Sequence, residues 1–252
     1  MSFEVAPDAY DRFMGRYSVP LAPQLADLAG ILPGQRVLDV GCGPGALSTE
    51  LARRLGTEAV SAVDPSTSFV AAARERLPGA DIRLASAEEL PFENGTFDAA
   101  LAQLVVHFMN DPVAGFREMA RVTREGGVVA ASVWDYATGG APLAVFWRTA
   151  HEIDPNVMDE SELPGAREGH LSELLREAGM HDVEERAIEV RVEHRTFDEW
   201  WEPYTLGVGY AGAFVDGLDD DERRRLRDRC RAALPPPPFV VTARAWAARG
   251  LV

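Results

Sequence analysis

The chain contains no lysine, only two cysteines and no long hydrophobic run. Cys42 and Cys230 are too few for a disulfide framework or a cysteine-based metal cluster, so we expect a reducing, cytoplasmic setting and no metal site. No apolar run approaches the roughly 20 residues that span a bilayer, and the chain does not open on a cationic segment followed by an apolar stretch. We therefore expect a soluble protein that has no membrane partner.

Positive charge is also scarce. The 25 basic residues, all arginine, are outnumbered by 40 acidic residues, which gives a formal net charge of -15. Nucleic acids need a basic surface for their phosphates, so this balance disfavours DNA, RNA and anionic membranes as partners. The arginines of residues 223–229 are interleaved with acids from 219 onward, a pattern typical of a solvated helix face with local ion pairs.

What the sequence does contain is a short apolar run that leads straight into three glycines. Val37, Leu38 and Val40 form a compact aliphatic run, which is typical of a strand buried on both faces of a parallel sheet. Glycines follow at every second position of residues 41–45, and leucines then recur every fourth residue from 47 to 55. The pattern predicts a strand, a glycine turn that lets a ligand approach the backbone, and an amphipathic helix.

The next predicted strand ends in an acid at the spacing of a nucleoside site. Residues 59–63 are apolar or small, and Asp64 follows them about 20 residues after the glycines. In dinucleotide-binding units an acid at this place accepts hydrogen bonds from ribose hydroxyls. The order of strand, glycines, helix, strand and acid therefore predicts a nucleoside ligand.

Residues 39–45, Asp-Val-Gly-Cys-Gly-Pro-Gly, resemble the glycine motif of class I S-adenosylmethionine-dependent methyltransferases, acid-x-Gly-x-Gly-x-Gly. The nicotinamide pattern Gly-x-Gly-x-x-Gly fails, because Ala46 stands where its third glycine belongs. Asp39 would suit the cationic amino group of a methionine moiety, whereas a pyrophosphate needs positive potential. S-adenosylmethionine is therefore the expected cofactor, and a nicotinamide-dependent oxidoreductase is the remote alternative.

The resemblance also implies which residues contact the cofactor. Segment 8–17 is similar to the N-terminal segment that covers the cofactor in small-molecule members of the family. This similarity would bring Tyr10 and Arg16 or Tyr17 over the methionine part. The alternative is that the aromatic side chains of this segment simply pack on the sheet. Segment 86–92 is similar to the adenine segment of the family, so Ala87 would offer its N–H and Glu88 its carboxylate to the ring. The complete expected set is Tyr10, Arg16, Asp39, Gly41, Cys42, Gly43, Asp64, Pro65, Ala87, Glu88 and Gln103.

His107 is the candidate catalytic residue. Residues 97–103 form the predicted fourth strand, and His107 follows its end, where ligands of open α/β sheets bind. Imidazole titrates near neutrality, so His107 could take a proton from a methyl acceptor. The competing interpretation is a structural histidine bonded to the backbone at the start of a helix.

The fold that the resemblance implies is α/β: a Rossmann-like, doubly wound, seven-stranded sheet with an antiparallel last strand, to which the sequence adds helical cap insertions. Within one domain of residues 1–252, we assign 1–30 to an N-terminal helical lid and 31–134 to the cofactor-binding core. Strands predicted at 183–192 and 239–247 enclose about 46 residues, far more than a hairpin turn requires. Residues 135–169 and 193–238 are therefore candidate substrate-cap insertions, although their aromatics could also form a dimer surface or a second core.

The leading functional hypothesis is methyl transfer from S-adenosylmethionine to a small, apolar or aromatic molecule by in-line displacement. A non-methylating cofactor-binding protein or a cyclase on the same fold is the alternative, because cofactor binding alone does not dictate the reaction. The expected partner is a small-molecule methyl acceptor, with no nucleic acid, and the protein is expected to be a monomer or a homodimer. Acceptor identity and the choice among O-, N- and C-methylation stay open.

Overall fold

The apolar runs found in the sequence become the strands of one sheet in the computed structural model, which describes residues 6–252. The seven strands are arranged in the order β3-β2-β1-β4-β5-β7-β6. Their bounds are β1 Val37–Val40, β2 Val60–Asp64, β3 Asp81–Leu84, β4 Phe97–Gln103, β5 Thr123–Trp134, β6 His181–His194 and β7 Phe239–Leu251. The first five strands pair in parallel, and β7 runs antiparallel to both β5 and β6. The predicted fold class, including the antiparallel last strand, is confirmed.

Helices cover both faces of this sheet. Their bounds are α1 Pro7–Tyr10, α2 Arg16–Leu28, α3 Ala46–Leu55, α4 Thr67–Arg76, α5 Pro112–Val122, α6 Ala144–Ile153, α7 His170–Glu177, α8 Phe197–Trp201, α9 Gly209–Gly217 and α10 Asp220–Ala233. Side chains of β1 alternate between two cores, because successive strand residues point to opposite faces. Val37 packs in the core that includes residues of α2 and α3, and Leu38 packs in the core of α5 and α7.

Polar residues mark where several helices begin. The Ser66 hydroxyl accepts from the Phe69 N–H at the start of α4, and the Asp111 carboxylate accepts from the Ala114 N–H at the start of α5. Asp219 and Glu222 form a reciprocal capping box at the start of α10. These caps satisfy backbone N–H groups that have no partner inside the helix.

The hairpin of β6 and β7 continues beyond the edge of the parallel sheet. The last pair between β5 and β7 is Trp134 with Ala245, whereas β6 and β7 stay paired out to His194 and Phe239. We call the side of the sheet where the parallel strands end the carboxyl edge. Residues 195–238, which carry α8, α9 and α10, are therefore inserted between β6 and β7 beyond this carboxyl edge. This position explains how a long insertion fits between two hairpin strands.

The insertion packs on α6 and on the N-terminal segment through aromatic rings. Tyr204 stacks on Phe146 of α6 with ring centroids 4.5 Å apart, and it meets Phe13 edge-on at 5.2 Å. Trp200 and Trp201 are only 2% and 5% exposed within the same core. The largest aromatic side chains of the insertion thus extend the core that contains residues of α2 and α3.

The N-terminal lid predicted for residues 1–30 is helical over the residues that the structure describes; residues 1–5 of that prediction lie outside them. A π-helical turn, Asp11–Gly15, joins α1 to α2. Over the described length of the chain, the helices lack the combination of length and apolar character that a membrane span requires.

Candidate functional site

The glycine loop connects β1 to α3 at the carboxyl edge. The N–H groups of Gly41 and Cys42 donate to the Val63 carbonyl at 2.8 and 2.9 Å, which holds the loop against the end of β2. Gly41 has a φ of +72°, and a Cβ at this position would lie 2.3 Å from Val105 Cγ2. Any side chain would therefore both strain the backbone and collide with Val105, so only glycine fits.

Asp39 lies under this loop as a buried, half-satisfied carboxylate. Its Oδ2 accepts from the Ser48 hydroxyl at 2.5 Å, whereas Oδ1 is buried without a hydrogen-bond partner among the described residues. The residue is 1% exposed, and burial raises the pKa of its carboxyl to about 7, although the bond from Ser48 opposes the rise. An unsatisfied buried carboxylate is costly, so a donor or cation supplied by a ligand would be stabilised there.

Asp64 ties the end of β2 to the glycine loop. One carboxylate oxygen accepts from the Gly43 N–H and the other from the Ser66 N–H, each at 2.8 Å. Burial raises the pKa of the Asp64 carboxyl, and these two backbone donors partly offset the rise. Because each carboxylate oxygen has a second lone pair, Asp64 can shape the loop and still accept from ribose hydroxyls.

Tyr10 covers the glycine loop from the end of α1. Its ring meets the Phe69 ring edge-on with centroids 5.3 Å apart, and a Cβ on Gly43 would lie 4.0 Å from Tyr10 Cε1. Two other predicted residues flank the loop: Cys42 is buried, with its thiol pKa raised by that burial, and Pro65 is exposed between β2 and α4. The structure thus brings these three residues to the loop, and their contact with a cofactor stays a prediction.

Ala87 and Glu88 lie at the start of the loop that follows β3. Ala87 is 8% exposed and packs near Gly115 of α5, where an added Cβ would lie 3.5 Å from the Ala87 Cβ. The Glu88 Oε1 accepts from the Asn110 N–H at 2.8 Å, which joins this segment to the loop before α5. Glu88 therefore has a structural role besides the adenine contact that the family resemblance implies.

Arg16 and Gln103 contact other parts of the chain. The Arg16 guanidinium donates to Glu199 Oε1 at 2.5 Å and lies 3.0 Å from His194 Nδ1. His194 ends β6, which lies four positions from β1 in the sheet, so Arg16 binds the segment that follows β6. Glu199 compensates its charge, and contact of Arg16 with the cofactor stays a prediction. Gln103 donates to the Ser18 carbonyl of α2 at 3.0 Å, and its Oε1 is buried without a partner among the described residues.

His107 lies in a 3-10 turn, Val106–Phe108, on the wall of a cavity above the carboxyl edge. Its Nδ1 is buried without a hydrogen-bond partner in the described part of the chain, and burial lowers the pKa of the imidazole to about 3. A neutral imidazole with so low a pKa can exchange hydrogen bonds with a ligand, but it is a weak base at neutral pH. The structure therefore favours His107 as a polar contact and weighs against it as the general base.

The cavity itself is narrow, with a volume of about 30 Å³, and its lining is largely apolar and aromatic. Its walls come from the N-terminal segment, the ends of β4 and β5 with the turns that follow them, Leu143 just before α6, Glu160, and the start of α9. The aromatic members of the lining are Tyr10, Phe13, Phe108, Trp134, Tyr136 and Tyr210. Tyr10 contributes both to this cavity and to the cover of the glycine loop, so the two sites adjoin.

Two lining residues were missed by the sequence analysis. Tyr136 follows β5 and lies with its ring centroid 5.8 Å from that of His107. Glu160 comes from the loop between α6 and α7; it is 4% exposed and accepts from the Trp147 indole N–H at 2.9 Å. Tyr136 could have been found from its place directly after a central strand. Glu160 carried no sequence signal, because it is one of several acids in an acidic loop.

Comparison with known proteins agrees with the geometry of the loop. Residues 38–131, which run from the glycine motif through β5, match the family described as Methyltransferase domain. This segment of the chain is therefore similar to methyltransferase domains. The chain is 30% identical over 152 residues to a demethylmenaquinone methyltransferase of Renibacterium salmoninarum, covering 60% of this chain and 63% of that protein.

Two solved structures show that the resemblance extends beyond the matched segment. A SAM-dependent methyltransferase of Thermotoga maritima, described as a possible histamine N-methyltransferase, has a TM-score of 0.57 at 18% identity and covers 97% of this chain and 95% of that one. The [4+2]-cyclase SpnF has a TM-score of 0.57 at 21% identity and covers 92% and 81%. At these identities the likeness establishes the fold of this chain and no more.

The sequence similarity is confined to part of each relative. The chain spans 63% of the Renibacterium protein and 49% of an uncharacterized methyltransferase of Mycobacterium bovis. The matched family segment ends at residue 131, three residues before the end of β5. The residues of the insertion and the loop that carries Glu160 lie outside it, so the acceptor side of the site has to be argued from its own geometry.

Proposed function

We propose that this protein binds S-adenosylmethionine at the glycine loop and transfers its methyl group to a small, apolar or aromatic molecule in the adjoining cavity. The observation that carries the proposal is the buried Asp39 carboxylate, whose Oδ1 has no partner among residues 6–252. The cationic amino group of a methionine moiety would supply the missing donor and compensate the charge. A pyrophosphate would place a second anion beside this carboxylate, which disfavours a dinucleotide.

The remaining loop residues fit the same cofactor. Gly41 and Gly43 have positive φ angles of +72° and +53°, which bring the backbone of the loop close to whatever binds above it. Asp64 at the end of β2 is placed for ribose hydroxyls, and Ala87 lies on the adenine side after β3. We assign Tyr10 to the cover of the methionine and ribose end, because its ring lies over Gly43.

The sulfonium cofactor supplies an electrophilic methyl group, so the protein needs no nucleophile of its own. The task of the chain is to hold the acceptor in line with that methyl group and to exclude water. Alignment of two reactants can lower a barrier by about 7 to 11 kcal/mol. The buried aromatic walls of the cavity suit this positioning role for a flat or apolar acceptor.

Calorimetry with S-adenosylhomocysteine tests the first half of the proposal. We expect micromolar binding by the wild-type protein and no binding of NADH under the same conditions. Binding of NADH without S-adenosylhomocysteine would support the oxidoreductase alternative, and absence of binding at high micromolar S-adenosylhomocysteine would refute the proposed cofactor. The Asp39→Asn variant developed in the Discussion shows whether the binding uses the predicted carboxylate.

Mass spectrometry tests the second half. The protein and S-adenosylmethionine are incubated with a library of small aromatic acceptors, and the expected result is a product heavier by one methylene unit together with S-adenosylhomocysteine. Cofactor binding with no methylated product from any acceptor class would instead favour the non-methylating alternative. A His107→Ala variant should then keep most of the activity of the wild type, because the imidazole with its pKa near 3 is a weak base.

A further inference from the structure

Glu160 is a buried acid on the wall of the acceptor cavity. It lies in the loop between α6 and α7, and its side chain lines both the cavity above the carboxyl edge and a second cavity beside α6. Only 4% of the residue is exposed. A buried carboxylate that borders two cavities is accessible to a ligand and protected from bulk water.

The protein partners of this carboxylate are neutral. The Trp147 indole N–H donates to Oε2 at 2.9 Å, and hydrogen bonding from Tyr136 also lowers the pKa of the carboxyl. No salt bridge to Glu160 is found within the part of the chain that the structure describes. Arg148 and His151 line the second cavity beside Glu160. The acid paired with His151 is Asp159, whose Oδ2 lies 3.7 Å from His151 Nε2. The acid is therefore held in place without a compensating positive charge.

An uncompensated carboxylate in this setting requires either a proton or a cation. Burial raises the pKa of Glu160 to about 7, although the bonds from Trp147 and Tyr136 oppose the rise. A cation in the cavity would favour the ionised carboxylate by direct attraction at low local dielectric. A neutral apolar ligand would leave the carboxyl unsatisfied or protonated.

The rest of the cavity favours a cation as well. Six aromatic rings contribute to its lining, and the negative faces of aromatic rings attract organic cations. The described cavity lining contains no arginine, and its one histidine, His107, is neutral because burial lowers its pKa. The protein as a whole carries a formal charge of -15, which adds an attraction for cations at long range.

We infer that the methyl acceptor carries a protonated amine, which Glu160 binds through a charge-assisted hydrogen bond among the aromatic rings of the cavity. This inference rests on the proposed function, because it identifies the chemical class of the acceptor in that same site. Tyr136 and Trp147 act as positioning residues that hold the carboxylate toward the cavity.

The test compares two ligands that differ in one group. Phenethylamine and 2-phenylethanol have the same aromatic body, but only the amine is cationic at neutral pH. Each is titrated by calorimetry into the protein saturated with S-adenosylhomocysteine, so that failure of cofactor binding, which would refute the proposed function, is seen before the amine is added. We expect the amine to bind roughly tenfold or more tightly than the alcohol, as one charge-assisted hydrogen bond predicts.

Two variants separate the role of Glu160 from a general effect of charge. Glu160→Gln keeps the shape and removes the negative charge, so the preference for the amine should disappear while S-adenosylhomocysteine affinity stays unchanged. Glu162→Gln, an exposed acid two residues away, should keep the full preference. Unchanged cofactor affinity also shows that Glu160→Gln is folded.

Three results would overturn the inference. They are equal affinity of the wild-type protein for the amine and the alcohol, no binding of the amine at millimolar concentration, and a preference for the amine that survives in Glu160→Gln. Tyr136→Phe provides an independent check, since loss of one hydrogen bond to the carboxylate should weaken amine binding without abolishing the preference.

Discussion

Replacing Asp39 by asparagine should stabilise the protein at alkaline pH and weaken its cofactor binding. The substitution keeps an oxygen for the Ser48 hydroxyl and removes the buried charge. Stability and binding should therefore change in opposite directions, a result that simple damage to the fold would not produce.

The magnitude follows from the pKa of the buried carboxyl. A rise from 3.8 to about 7 corresponds to a cost of about 4 kcal/mol for holding the ionised form in the folded protein. The folded protein keeps the Asp39 proton that the unfolded chain releases near pH 4. The contribution of Asp39 to the free energy of unfolding is therefore fully present below pH 4 and is lost as the pH rises to about 7. The introduced amide N–H₂ lacks a partner, which costs about 1 to 3 kcal/mol. We therefore expect Asp39→Asn to be more stable than wild type by about 1 to 3 kcal/mol at pH 8, with no gain at pH 4.

The affinity for S-adenosylhomocysteine should fall in the same variant. Loss of a charge-assisted hydrogen bond to the amino group of the ligand is worth about 1.5 to 3 kcal/mol, or roughly 10- to 100-fold in Kd. Urea unfolding between pH 4 and pH 8 measures the stability, and calorimetry at pH 8 measures the affinity. Asp228→Asn, a change at an exposed acid of α10, should alter neither. Unchanged affinity in Asp39→Asn, or a loss of stability at pH 8, would refute this reasoning.

Two further substitutions test the loop and the N-terminal segment. Gly41→Ala should destabilise the protein by about 3 kcal/mol or more and weaken cofactor binding, because its Cβ would lie 2.3 Å from Val105 Cγ2. The control is Gly34→Ala, where φ is +90° but the added Cβ meets open space. It should show only the cost of the strained backbone, about 1 kcal/mol, in the same urea unfolding. Arg16→Gln should lower the free energy of unfolding by about 1 kcal/mol through loss of the partly exposed contact with Glu199, and leave the Kd for S-adenosylhomocysteine unchanged. A large loss of affinity in Arg16→Gln would support the predicted contact of this arginine with the cofactor.

The cofactor half of the site was readable from the sequence because its residues lie in continuous segments with fixed spacing. Asp39, the three glycines and Asp64 each follow or end an apolar run, and a parallel sheet brings the carboxyl ends of such runs to one edge. The α/β fold class followed from the same order of elements, whereas the antiparallel last strand was implied by the family resemblance. These features are local, so they do not depend on how distant parts of the chain pack.

The contacts of two candidate site residues depend on distant parts of the chain. Arg16 lies in a segment that resembles a cofactor cover, and Glu199, 183 residues away, binds its guanidinium. His107 was a candidate base because of the ordinary pKa of imidazole, whereas burial lowers that pKa to about 3. Neither the ion pair nor the burial leaves a mark on the neighbouring sequence.

The sequence by itself determined the sheet, the glycine loop and the acids beside it, because hydrophobic period and glycine spacing act over a few residues. Only the tertiary structure decided which side chains face the acceptor. Glu160 becomes a buried acid because α6 carries Trp147 beneath it and Tyr136 leaves β5 next to it, and both contacts depend on the path of a long, irregular loop. The electrostatic character of that cavity is a property of packing, since the same carboxylate on the surface would be one of many solvated acids.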